Sequence, residues 1–159
     1  MTARTREASS AAQTAGTPGV TRHAFTVDVE DWHQLLRRRV TGETAGPSPH
    51  VVPATRRILD LLDEASVRGT FFVMGRVADA YPELVREIAR RGHEIGSHTY
   101  DHLLVWGMEP GAFRRDVDRS RAQLQDLTGQ PVLGFRAPEF SVRALGHWSF
   151  GVLAEAGFR

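Results

Sequence analysis

The chain has 159 residues, 41% of them hydrophobic, with 20 basic and 19 acidic side chains and a net charge of +1. That is one domain's worth of core-forming sequence, and the balanced charge argues against a dedicated nucleic-acid or anionic-membrane surface. All 20 basic residues are arginine and cysteine is absent; this excludes a Schiff-base lysine, a lysine-bearing phosphate loop, a thiol nucleophile, disulfides and cysteine-ligated zinc.

Residues 1–21, built mainly of Ala, Thr, Ser, Gly and Arg, read as a disordered tail with no signal-peptide core. No apolar run approaches the roughly 20 residues that span a bilayer, and a cytoplasmic protein is expected. His23–Val29 reads as a buried strand. It runs into the polar cluster Glu30-Asp31-Trp32-His33. Residues 41–53, with three Pro and two Gly, predict a loop. Ile58, Leu59, Leu61 and Leu62 predict a helix over 54–66, with Pro53 at its start. Thr70–Met74 is a short apolar strand, and Pro82–Arg91 a helix capped by Gly92. A strand follows at His93–Ser97, a long helix at Glu109–Leu127, a strand at Pro131–Arg136 and a helix at Leu145–Ala156. Gly157-Phe158-Arg159 reads as a turn entering a further strand.

Strands alternating with helices define an α/β chain with a parallel sheet covered on both faces. An open doubly wound sheet and a partial barrel both fit this order; a complete eight-stranded barrel takes about 250 residues. Parallel sheets place their sites at the carboxyl ends of the strands, and the polar residues gather there. The first strand ends in Asp28, Glu30 and Asp31, the third in His98 and His102, the fourth in Arg136 and Glu139. With no cysteine, a metal site has to be built from such residues. His98 and His102 lie four apart, so a helical turn after the strand would aim both imidazoles at one ion. Zinc commonly takes two His and one carboxylate and leaves a position for water. Asp28 and Glu30 share a strand face. The plain alternative is a solvated strand end with Arg136 as a simple ionic partner. His93 reads as structural; His23, His33, His50 and His147 show no partner pattern. Trp32, Trp106 and Trp148 read as packing groups rather than sugar platforms.

Four segments carry a family resemblance: Thr26-Val-Asp-Val-Glu-Asp31, Gly69-Thr-Phe-Phe-Val-Met-Gly75, Gly92-His-Glu-Ile-Gly-Ser-His-Thr-Tyr-Asp-His102 and Phe135-Arg-Ala-Pro138. In these, and in this order, the chain resembles the polysaccharide deacetylases, carbohydrate esterase family 4 or the NodB homology domain, over about residues 22–159. The form Trp32-His33-Gln34 after the first strand is most similar to the branch linked with exosortase and exopolysaccharide clusters. The resemblance implies a partial distorted (β/α) barrel of about four βα units, not closed, and metal-dependent hydrolysis of N-acetyl groups on a carbohydrate substrate. It implies His98 and His102 as metal ligands, Asp28 as base, Arg136 as the group that holds the base, and the Glu139 backbone N–H as an oxyanion donor.

The family's third ligand falls at Val29, a departure; Glu30 takes that role, with Asp31 as the fallback, and the metal is expected to be zinc. The family's later motifs, including a proton-donating His, do not occur in these 159 residues, so a C-terminally truncated domain of uncertain activity is expected. Two rival readings stay open. One is hydrolysis of another non-peptide C–N bond, in an amide or cyclic imide; the other is a non-catalytic metal- or sugar-binding remnant. The polymer, the sugar position and the oligomeric state are not legible.

Overall fold

The computed structural model describes residues 23–43, 45–142, 144 and 147–159; the expected tail over 1–21 lies outside them. Four strands, β1 (Thr26–Val29), β2 (Thr70–Val73), β3 (Glu94–Ser97) and β4 (Gly134–Phe135), form one parallel sheet in the order β1-β2-β3-β4. Each strand pairs with the next in sequence, so the connections always advance in one direction. A doubly wound sheet reverses its order at a switch point, and no reversal occurs here. The arrangement is an unclosed, singly wound α/β barrel segment. The chain returns to the sheet edge at Arg159, whose N–H donates to the Leu133 carbonyl at 2.9 Å alongside β4.

The helices are α1 (Trp32–Thr41), α2 (Val51–Glu64), α3 (Gly75–Ala80), α4 (Pro82–Arg90), α5 (Pro110–Thr128) and α6 (Ser149–Glu155). Val29, Phe71, Val73 and Ile95 from the strands meet Leu59 and Leu62 of α2, Leu84 and Ile88 of α4, and Phe113, Val117 and Leu124 of α5 in one buried core. The expected face of α4 is the buried one, with Leu84, Val85, Ile88 and Ala89 all inside.

Three expectations are corrected. The proline-rich stretch is a loop only as far as His50: α2 begins at Val51, two residues before Pro53, which is tolerated because first-turn N–H groups need no intrahelical partner. Two helices not expected from the sequence, α1 and α3, follow β1 and β2. Trp32 and Trp106 lie outside the core, 67% and 56% exposed. Trp148 does pack, edge-on to Phe113 at 5.5 Å.

Gly75 marks where α3 meets the loop after β3. A Cβ there would come within 2.9 Å of the Tyr100 Cα and would strike the ring as well. Tyr100 is tied down by its hydroxyl bond to Asp79, by its N–H on Asp116 at 2.8 Å and by the Arg119 guanidinium 3.5 Å over its ring. Gly75→Ala is therefore expected to destabilise the protein by about 1–3 kcal/mol, the usual cost of overpacking. Urea unfolding measures it; an unchanged midpoint would show that Tyr100 yields freely.

His93 is buried, and its Nδ1 accepts the Gly69 N–H at 3.2 Å. Burial pushes the imidazole pKa down from 6.5, and the Arg68 and Arg91 charges add to this against Asp63. The unfolded chain therefore takes up this proton at a higher pH than the folded one. Stability attributable to His93 is complete above the ordinary histidine value and falls as the pH drops below it. The melting temperature should decline less steeply from pH 7 to pH 5 in His93→Phe than in the parent; equal slopes would remove His93 from the acid response.

Candidate metal centre

The segment linking β3 to the second histidine is not helical. Thr99 and His102 both take left-handed backbone angles, φ 64° and 55°, a conformation unusual for residues other than glycine. The expected helical turn between His98 and His102 is thus replaced by a tight irregular loop whose backbone groups are individually satisfied. Asp116 of α5 accepts the Tyr100 and Asp101 N–H groups at 2.8 and 3.1 Å. Thr99 Oγ1 accepts the His102 N–H at 2.9 Å, and the Thr99 carbonyl accepts the Gly75 N–H at 3.0 Å. Arg38 of α1 donates to the Asp101 carbonyl at 2.6 Å. Ser97 and Ser120 share a buried hydroxyl bond at 2.8 Å that ties the end of β3 to α5. Burial pushes the Asp116 carboxyl up, against the two N–H groups that hold it down. Sequence reasoning missed Asp116, although an Asp among Phe113, Val117 and Ser120 on the inward face of α5 is a visible anomaly.

The loop brings His98 and His102 to the end of β1. Glu30 Oε2 lies 3.2 Å from His98 Nε2 and 2.8 Å from His102 Nε2. One donor atom from each of Glu30, His98 and His102 falls within 4.8 Å of the others, the one such cluster of metal-capable residues among the described residues. Both imidazoles are buried and Glu30 is half-buried. His98 Nδ1 lies 2.9 Å from the Arg136 carbonyl. A carbonyl only accepts, so Nδ1 carries a proton, and in the neutral imidazole Nε2 presents its lone pair to Glu30. Two acceptors in contact need a positive centre between them. The donor set, two imidazole nitrogens and a carboxylate, fits a divalent ion of the zinc type.

Burial pushes the Glu30 carboxyl up, but when His102 and His98 are protonated their hydrogen bonds and charge outweigh it and hold the pKa down at about 2, against an ordinary 4.5. Glu30 is ionised at neutral pH and ready to act as a ligand. Asp31, the fallback ligand, is used otherwise: it accepts the His33 N–H at 3.3 Å as the cap of α1 and the Ser48 N–H at 2.5 Å.

Asp28 stands two residues before Glu30, on the same face of β1. Arg136 donates to Asp28 Oδ1 at 2.6 Å and to Thr26 Oγ1 at 2.8 Å, with its guanidinium 4.2 Å over the Phe72 ring. One residue therefore serves both halves of the centre: the Arg136 side chain holds Asp28 and its backbone carbonyl orients His98. Glu139 sits in the turn after β4, left-handed at φ 47°, with Phe140 left-handed beside it at φ 50°. Its carboxylate pairs with Arg39 of α1 at 2.6 Å. His147 turns its Nδ1 to Ser149 Oγ at 2.9 Å at the start of α6.

A singly wound parallel sheet thus brings His98, His102 and Glu30 together at its strand ends. The polysaccharide deacetylase family model matches residues 45–146, and the chain belongs to that family. It is 38% identical over 114 residues to a chitooligosaccharide deacetylase of Sinorhizobium fredii, covering 68% of this chain and 46% of the relative. A Mycobacterium smegmatis structure assigned to the polysaccharide deacetylases superposes with a TM-score of 0.71 at 35% identity, over 85% of this chain and 48% of that one. A family 4 acetyl xylan esterase of Clostridium thermocellum, solved with a cobalt ion, gives 0.55 at 30% identity, over 74% and 48%. The chain thus spans about half the length of these relatives, 46–48%. No helix among the described residues is long and apolar enough to cross a membrane.

Proposed function

We propose that this chain carries the metal- and base-bearing part of a carbohydrate N-deacetylase, with Glu30, His98 and His102 as ligands of a divalent ion, most simply zinc. The observation that carries the reading is the single linkage through Arg136, which fixes the base and the metal ligand His98 relative to one another. A divalent ion held there supplies an activated water and polarises the acetyl carbonyl. Asp28, kept in place by Arg136 and Thr26, takes a proton from the attacking water and returns it to the sugar nitrogen as the C–N bond breaks and acetate leaves. The Glu139 N–H, turned by its left-handed backbone, donates to the oxygen on which negative charge develops. Family membership and the chitooligosaccharide deacetylase relative support an N-acetylated sugar as substrate, and residues 22–159 as a deacetylase domain of which this is the N-terminal part.

The test is acetate release from chitotetraose by protein carrying one equivalent of divalent ion. Release should stop on chelation and return when the ion is restored. Metal and glycan binding without any acetate release would make the chain a binding module instead.

A further inference from the structure

We propose that the groove between α1 and the loop after His102 is a carbohydrate subsite, in which the Trp32 indole stacks on a pyranose ring and Arg38 donates to its hydroxyls. The proposal rests on the deacetylase reading and adds where the glycan runs beyond the reacting sugar. Helix α1 turns most of its apolar residues outward, with Leu35 alone packed against the core. Its fully buried residue is Gln34, whereas Trp32, Leu36 and Val40, at four-residue spacing on one face, are 67%, 50% and 74% exposed. Apolar surface presented in this way marks an interaction site.

The surface borders a cavity of about 480 Å³ whose walls include Trp32, Leu36, Arg38 and Leu104 together with Glu30 and His102. Because Glu30 and His102 also form the metal centre, a ligand in this groove is continuous with one reacting there. A pyranose offers apolar C–H faces and a hydroxyl edge, which a flat aromatic ring and a guanidinium fork match. Arg38 is fixed by one bond to the neutral Asp101 carbonyl, leaving further N–H donors. Its neighbour Arg39 holds both Glu139 oxygens through one nitrogen, at 2.6 and 2.8 Å. A concave site of this volume suits a sugar-sized ligand, whereas a stable protein partner needs about 800 Å² of surface on each side.

Chitotetraose titrated into the metal-loaded full chain tests the proposal by calorimetry. Trp32→Ala should weaken binding about tenfold, and Trp32→Phe should stay within about threefold of the parent, since a flat ring is what stacks. Metal content and gel-filtration volume should not change in either variant. Unaltered affinity in Trp32→Ala, equal losses in Ala and Phe, or no tetraose binding by the parent would each overturn the subsite. A shift in oligomeric state without a change in sugar affinity would also overturn it, and would assign the stripe to a second copy of the chain. Failure of the deacetylase reading is seen separately, as tetraose binding with no acetate released.

Discussion

The His98→Ala protein is expected to purify without its divalent ion. Three donors converge at the centre, and His98 is the one whose lone pair is pre-aimed, through Nδ1–H on the Arg136 carbonyl. Deleting it leaves only Glu30 and His102. Two protein ligands rarely retain zinc against water and buffer, and loss of one partner leaves Glu30 beside a single imidazole. Elemental analysis of the purified variant should find well below one equivalent of metal, with circular dichroism confirming that the fold is kept. Undiminished metal would place the ion elsewhere.

Asp28→Asn should separate base from ligand. The side chain keeps its shape and an acceptor oxygen for Arg136, so metal content should be unchanged. Loss of a general base typically costs about 10²–10⁴ in rate, and acetate release should fall by that order. If metal is lost with the carboxylate, Asp28 is a ligand and the roles of Asp28 and Glu30 must be exchanged. If neither metal nor rate changes, the proton goes to another group.

The elements legible in the sequence are those whose signal is burial. Thr70–Met74 and His93–Ser97 are short runs that only a covered strand explains, and the structure places β2 and β3 within them. Leu59 and Leu62 of α2 and Leu84, Val85 and Ile88 of α4 face the core, whereas Leu61 of α2 is exposed. Helix α1 is illegible because its apolar residues other than Leu35 point outward and its buried position holds Gln34; periodicity read as a core face carries no such exception. Helix α3 is six residues long, too short for a period to show.

The same division runs through the site. Asp28, Glu30, His98, His102 and Arg136 could be nominated as polar residues at strand ends, which is a rule about position. How they meet depends on backbone conformations that side-chain chemistry does not announce. Thr99, His102, Glu139 and Phe140 are all left-handed without being glycine, among bonds such as the local one from His102 N–H to Thr99 and the long-range one from Arg39 to Glu139. The spacing of His98 and His102 suggested a helical turn, and an irregular loop delivers the convergence instead. The orienting carbonyl of Arg136 is backbone, so no residue type could have signalled it. Trp32 reads as a packing group because tryptophan more often is one, and only the orientation of the helix exposes it.

The most direct measurement of the central claim is a crystal structure of the protein grown with zinc, with anomalous differences recorded at the zinc edge. The account predicts one strong peak bonded to His98 Nε2, His102 Nε2 and a Glu30 carboxylate oxygen, with the nitrogens at about 2.0–2.1 Å and the oxygen at about 2.0–2.2 Å, and Asp28 beside it still paired with Arg136. A peak coordinated by Asp28 or Asp31 in place of Glu30, or no peak between the two histidines, would contradict it.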